Sequence, residues 1–192
     1  MLLFDWDEDY LRYVLSNVMV LKAMHDRGYD VEGIPPDEES ILSPCLNRIF
    51  GNVRWADVVP EYDEDFALAL GDEDDERRCA YEDFHSRYHY KLVIPIPEVA
   101  ELWPFSAGEL ALLEEKLRKF VIDPNEIFEE GYLPDYAFYR WEWLEDGRGV
   151  CLYMYDIYEG CESPPESLEV LGILEFLDTL RDIKQKRKES AA

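Results

Sequence analysis

Two histidines four residues apart, His85 and His89, are the side chains best suited to chemistry in this chain. On a helix this spacing places both imidazoles on one face, where Cys79 or Glu82 could complete a zinc site. The same spacing arises often by chance, and the chain could turn into a strand before His89. We therefore expect ordinary histidines here and predict neither a metal site nor a cofactor.

Carboxylates at alternate positions are typical of the start of a calcium-binding loop. Two runs have this spacing, the first made of Asp5, Asp7 and Asp9 and the second of Asp72, Asp74 and Glu76. Neither run has the glycine expected at the sixth position of the loop or the glutamate expected at the twelfth. The pattern predicts loose association with counterions rather than a specific calcium site.

Motifs for covalent or phosphoryl chemistry are missing from the sequence. It contains no Gly-x-Ser-x-Gly elbow and no phosphate-binding loop, and no pattern couples a histidine to any of the four cysteines. Glu114 and Lys116 have the Glu-x-Lys spacing of many metal-dependent nucleases, but they lie in a predicted helix rather than a strand. We predict a protein that is not an enzyme and has no catalytic residues.

The strongest signal is charge. The chain has 44 acidic and 19 basic residues among 192, and its net charge is -25. Hydrophobic residues nevertheless make up 47% and aromatic residues 14%, which predicts a folded body with an acidic surface. Such a surface disfavours direct contact with nucleic acid or anionic membranes, both of which require Lys and Arg. It would attract a basic protein.

The carboxylates are unevenly spread. Residues 1–40 contain ten acidic and three basic residues, residues 41–60 are nearly neutral, and residues 61–90 contain eleven acidic and three basic residues. We therefore predict two partner-binding patches. The residues of the first are Asp5, Asp7, Glu8 and Asp9, and those of the second are Tyr62, Asp63, Glu64, Asp65, Asp72, Glu73, Asp74, Asp75 and Glu76.

These features favour an inhibitor or immunity protein that imitates nucleic acid and occupies a basic surface of a nuclease or another nucleic-acid-binding protein. One alternative is an assembly or regulatory subunit that docks on a basic partner without inhibiting it. Another is a soluble domain adapted to a salty cytoplasm. No signal peptide or membrane span is predicted, and the four cysteines lack paired spacing, so a cytoplasmic location is expected.

The elements that position these residues can be predicted in part. Residues 136–144 and 150–158 are rich in aromatic and β-branched residues and flank a glycine-containing turn, which predicts a β-hairpin. On its first strand the alternation places Tyr139, Trp141 and Trp143 on one face. Residues 90–97 predict a further strand, whose prolines favour an edge position or a strand end.

Helical periodicity predicts a long first helix over residues 7–27, ended by Gly28 and apolar enough to pack on two sides. Shorter helices are expected at 44–50 (capped by Ser43), 62–70, 73–87, 107–120 (capped by Ser106) and 124–130, and a C-terminal helix at 168–183. The fold class is α+β, an aromatic-rich antiparallel sheet packed against several helices. We expect one domain over 1–192, with a division into an acidic lobe 1–90 and an α+β lobe 91–188 as the alternative.

Overall fold

A computed structural model describes residues 8–37, 41–51, 53–119, 121–159 and 168–192. The strands are Arg54–Asp57 (β1), Tyr88–Pro95 (β2), Tyr136–Trp143 (β3) and Gly149–Asp156 (β4). The helices are Glu8–Asp26 (α1), Leu42–Phe50 (α2), Glu64–Leu70 (α3), Glu76–Ser86 (α4), Pro97–Leu102 (α5), Ala107–Arg118 (α6), Pro124–Glu130 (α7) and Leu168–Ala191 (α8). In the described ranges no helix combines the length and the apolar character that a membrane crossing needs.

The four strands form one antiparallel sheet in the order β1-β2-β4-β3, which confirms the α+β class. The predicted hairpin is β3 and β4, joined through a 3-10 turn at Glu145–Gly147. Gly149 opens β4 against the end of β2. A Cβ atom at this position would lie 2.1 Å from the carbonyl oxygen of Ile94, so only glycine allows the two backbones to approach this closely.

Strand β2 lies inside the sheet, paired with β1 on one side and β4 on the other, so the predicted edge position is wrong. The alternative, a strand end, is confirmed. Pro95 is the last residue of the strand and Pro97 already belongs to α5, so neither proline interrupts the pairing in the strand interior.

A register shift between Phe138 and Arg140 makes Tyr139 the extra residue of a β-bulge. The bulge reverses the alternation, so Tyr139 packs on one face of the sheet while Trp141 and Trp143 pack on the other. The prediction that these three rings share a face is therefore wrong. Simple alternation of residue types contains no signal for a bulge.

The two faces of the sheet are covered by different helices. Leu92, Leu152 and Phe138 point to the larger core, where α1, α2, α5, α6 and α8 pack. Tyr155 and Ala137 point to a second core formed with α3, α4 and α7. Since successive side chains of a strand point to opposite faces, β4 is buried along its whole length.

Helix α8 organises the larger core and contacts α1, α2, α5 and α6. Leu174, Leu177 and Leu180 form part of its buried stripe, as the periodicity predicts, and the helix continues beyond the predicted end at residue 183. The capping box of α6 is also confirmed, because Ser106 Oγ accepts from the backbone of Glu109 while the Glu109 carboxylate accepts from the backbone of Ser106.

Helix α1 packs on one side only among the described residues. Val20 and Met24 are fully buried in the larger core, and Gly28 follows with a φ of 84° at the predicted helix end. The second side, which was expected to be covered as well, remains exposed. Helix α2 also departs from the prediction, since it begins at Leu42 after Ile41 and Ser43 does not cap it.

Candidate protein-binding surface

Residues 61–76 form an acidic edge made of α3, the following loop and the first turn of α4. The edge contains nine carboxylates and no basic residue. Eight of the nine are exposed, and Asp75 is half-buried. The structure therefore places the second predicted patch, including Tyr62, on one continuous and exposed segment. We refer to residues 61–76 as the acidic edge.

Two carboxylates of the acidic edge also hold its local structure. Asp63 caps α3 by accepting the backbone N–H of Phe66 at 3.0 Å. Asp75 caps α4 by accepting the backbone N–H of Arg77 at 3.0 Å, and it also accepts from the guanidinium of Arg77, which lowers the pKa of Asp75. The Asp75 cap holds the end of the loop that contains the exposed carboxylates of Asp72, Glu73 and Asp74.

The charge of the acidic edge is largely uncompensated. Asp75 is the one carboxylate of the edge that forms a salt bridge within the described part of the chain. The neighbouring cations are engaged elsewhere, since Arg78 pairs with Glu82 at 3.0 Å and Arg87 pairs with Asp83 at 2.6 Å. A surface with this much unpaired negative charge produces a potential that reaches beyond direct contact.

Helix α7 extends the acidic surface with residues that sequence analysis did not select. Its last two residues, Glu129 and Glu130, are exposed and lead into Gly131. A Cβ atom on Gly131 would lie 2.9 Å from Cβ of Glu76, so the end of α7 lies directly against the first turn of α4. Carboxylates more than fifty positions apart in the sequence thus join one surface.

An aromatic groove of about 660 Å³ borders the acidic edge. Glu61 belongs to both, and the backbone N–H of Asp63 donates to the hydroxyl of Tyr81 at 2.9 Å, which ties the edge to the groove wall. Edge-to-face ring contacts near 5 Å hold the wall together. The rings that line the groove are Phe66, Tyr81, Phe84, Phe128, Tyr139 and Tyr153.

The far wall of the groove contains a cation that is already paired. Arg140 lies 4.8 Å from the centre of the Tyr153 ring and donates to Glu142 at 2.9 Å. The hydroxyl of Tyr153 also donates to Glu142, at 2.6 Å, and burial together with this bond raises the pKa of Tyr153. Glu142 thus compensates Arg140, while Arg140 and Lys91 both lie over the Tyr153 ring.

The two candidate zinc ligands lie on different elements, because α4 ends at Ser86 and His89 belongs to β2. His85 Nδ1 and Nε2 lie 2.8 Å and 3.1 Å from the carbonyl oxygens of Tyr81 and Glu61. The nitrogens of His89 are bonded within the protein as well. In the described ranges no three potential ligand side chains are grouped so that they could hold a metal ion.

The first predicted patch is described only in part. Asp5 and Asp7 lie outside the described residues, as does the side chain of Asp9. Glu8 is exposed and pairs with Arg12 at 3.0 Å. It begins α1, which covers the opposite face of the sheet from α3 and α4, so Glu8 and the acidic edge belong to elements on different sides of the sheet.

Comparison with known proteins adds no relative. No family model matches the chain, no curated protein matches it significantly, and no solved structure matches its fold significantly. The acidic edge, the aromatic groove and the contacts between them are the features of the molecule that bear on its function.

Proposed function

We propose that this chain is a non-enzymatic binding protein that occupies a basic, nucleic-acid-binding surface of a partner protein, as an inhibitor or immunity protein would. The observation that carries the proposal is the acidic edge itself. Of its nine carboxylates only Asp75 has an ion-pair partner among the described residues, and the edge opens directly onto the aromatic groove. A basic surface that binds phosphates would meet complementary negative charge at the acidic edge.

The groove explains how such a partner could be held after it is attracted. Lys and Arg side chains have apolar stems that pack on rings and charged ends that pair with carboxylates. A basic side chain that enters the groove would place its stem on the partly exposed rings of Phe66 and Tyr139, with Glu61 at the rim. Charge then speeds association, and the rings extend the lifetime of the complex.

Two of the three described thiols, those of Cys45 and Cys151, are buried and therefore poorly suited to covalent catalysis, whereas Cys79 is exposed. Cys45 is fully buried, and burial raises its pKa to about 12, so the thiol stays protonated at neutral pH. Burial also raises the pKa of Cys151. The described cysteines are free, which agrees with the reducing cytoplasm that we propose as the location; Cys161 lies outside the described residues.

Charge reversal on the acidic edge tests the proposal. Asp72, Glu73 and Asp74 are exposed and cap no helix, so changing all three to Lys should preserve the fold. The matched control changes Glu98, Glu145 and Asp182 to Lys, which alters the net charge equally away from the edge. An arginine-rich peptide labelled for fluorescence anisotropy serves as the probe. We expect the edge variant to bind at least about tenfold more weakly than the control variant.

Equal weakening in both triple variants would overturn the proposal, because net charge alone would then explain binding. Competition with a nucleic acid distinguishes an inhibitor from an assembly subunit. A basic nucleic-acid-binding protein should lose its labelled DNA or RNA when this chain is added, and the edge variant should release much less of it. A ternary complex that keeps the nucleic acid would contradict inhibition.

A further inference from the structure

Helix α1 has a second apolar face that no described residue covers. Leu15 is 61% exposed and Met19 is 59% exposed, while Leu11 and Val18 are exposed to 40% and 45%. Exposed leucines are common one at a time, as Leu112 of α6 illustrates. Four neighbouring apolar side chains on one helix face are different, because such patches mark interaction sites.

The spacing of this face is that of a helix-packing surface. Leu11, Leu15 and Met19 are four residues apart and form one ridge, with Val18 beside it. Leu15, the middle residue of the ridge, is also the most exposed. A second helix that crosses at Leu15 would therefore cover the whole ridge.

The charges that flank the ridge favour one kind of helix. Glu8 lies seven residues before Leu15 and Lys22 lies seven residues after it, each about 10.5 Å along the helix axis. Both side chains are exposed, and each already has an ion pair within α1, Glu8 with Arg12 at 3.0 Å and Lys22 with Asp26, which it would share with the second copy. If an identical helix is laid antiparallel with its Leu15 on this Leu15, then each Glu8 faces the Lys22 of the other copy. The α1 surface is thus complementary to itself.

We propose that a second copy of this chain binds here, so that the protein forms a two-fold symmetric dimer through antiparallel α1 helices. Leu15 packs on Leu15 at the symmetry axis, Leu11 packs on Met19 of the second copy, and Glu8 pairs with its Lys22. The α1 helix covers the opposite face of the sheet from the acidic edge, so this interface goes beyond the proposed function and does not depend on it.

Net charge sets the conditions in which the dimer forms. Two copies that each carry a charge of -25 repel one another, and the two Glu8–Lys22 contacts offset only part of that repulsion. Salt screens the long-range repulsion, so the dimer should be stronger at high salt. Binding of a basic partner at the acidic edge has the opposite dependence, and the two proposals can therefore fail separately.

Sedimentation equilibrium of the full chain at low and high salt tests the dimer. We expect a monomer–dimer equilibrium that salt shifts towards the dimer. Leu15→Glu places two carboxylates at the symmetry axis and should raise the dimer dissociation constant at least about 100-fold. Leu112→Glu, the same change at an exposed leucine of α6, should leave it unchanged. Circular dichroism checks that both variants keep the fold.

Charge exchange tests the antiparallel register. Glu8→Lys alone and Lys22→Glu alone each create two like-charge contacts and should weaken the dimer about tenfold. Each substitution also removes an ion pair within α1, with Arg12 or with Asp26, so circular dichroism checks that every variant keeps its helix content. The double variant restores opposite charges across the interface and should recover the dimer. A chain that stays monomeric at every salt concentration would overturn the proposal. So would a dimer that survives Leu15→Glu, or a double variant weaker than both single variants.

Discussion

His89 is a buried histidine whose two ring nitrogens are both satisfied inside the protein. Its Nε2–H donates to the carbonyl oxygen of Phe84 at 2.7 Å, and its Nδ1 accepts from the hydroxyl of Tyr139 at 3.1 Å. Burial lowers the pKa of His89, and it raises the pKa of Tyr139 to about 12. Both groups are therefore neutral at pH 7, and a charge on His89 would be unfavourable because the ring is buried.

This network predicts a loss of stability in mild acid. The pKa of His89 is lower in the folded state than the unfolded value of about 6.5. Just below that pH, the imidazole therefore binds a proton in the unfolded chain but not in the folded chain. The stabilisation is complete above the unfolded pKa and falls as the pH drops towards the folded pKa, by at most about 1.4 kcal/mol per pH unit.

Urea unfolding between about pH 7 and about pH 5.5 measures this slope. In His89→Gln the amide can still donate to Phe84, but no group titrates at this position, so the pH dependence should become shallower. An unchanged slope in His89→Gln would assign the acid sensitivity to other groups. The comparison is made above the range in which most carboxylates titrate.

At the residue scale, the sequence predicts which side chains have suitable chemistry but not which groups they hydrogen-bond. The spacing of His85 and His89 is helical, yet α4 ends at Ser86 because Tyr88, His89 and Tyr90 are better suited to a strand. Each histidine has one near partner, since the carbonyl oxygen of Tyr81 lies one helical turn before His85 and that of Phe84 five residues before His89. The other partners, the carbonyl oxygen of Glu61 and the hydroxyl of Tyr139, are 24 and 50 residues away, and no local pattern relates them to the histidines.

At the scale of elements, one ion pair fastens α8 to the start of α6. Arg187 donates to both carboxylate oxygens of Glu109, at 2.8 Å and 2.6 Å, and also to the carbonyl oxygens of Leu102 and Pro104. This pairing and the backbone N–H of Ser106 lower the pKa of Glu109 to about 2. The basic end of α8 therefore has specific partners, beyond the helix-dipole effect that sequence analysis would assign to it.

Arg187→Ala should destabilise the fold by about 1.5 kcal/mol, towards the low end for charged hydrogen bonds because the side chain is partly exposed. Lys186→Ala, an exposed neighbour, should change stability by less than about 0.5 kcal/mol. Chemical denaturation compares the two. The contribution of Glu109 is complete above its unfolded pKa and is lost as the pH falls towards 2, so the difference between the variants should shrink in acid.

The elements that sequence analysis found are those with strong local signals. The hairpin has its glycine-containing turn, α6 has its capping box, and α7 begins with Pro124 and is capped at its end by Gly131. The elements that it missed are short. Strand β1 has four residues and α5 has six, too few for a periodic pattern to emerge, and pairing with β2 rather than propensity holds β1 in place.

At the scale of the whole molecule, the net charge of -25 predicts a stability that depends on salt. Raising the salt from about 0.01 M to about 0.15 M shortens the screening length from about 30 Å to about 8 Å, which removes most of the self-repulsion. The melting temperature should therefore rise over this range and then level off. The acidic-edge variant Asp72→Lys/Glu73→Lys/Asp74→Lys should show a smaller rise.

A chain adapted to a salty cytoplasm would behave differently, unfolding at low salt and gaining stability well beyond 0.15 M. A melting temperature that does not change with salt concentration would contradict the prediction that self-repulsion destabilises the fold. The net charge can be calculated from the sequence, but the positions of the charged side chains in space cannot. Packing of α4 against α7 brings Glu129 and Glu130 to the acidic edge, and that contact has no local signature.

The sheet separates two cores, one under α1 and α8 and the other under α3, α4 and α7. Their side chains meet through the strands and not through one another, and fully buried residues such as Leu152 and Tyr155 alternate along β4 between the two cores. Free-energy changes at distant, independent sites add. Substitutions in one core should therefore change the free energy of unfolding by the same amount whether or not the other core has also been altered, which leaves each side free to vary in sequence on its own.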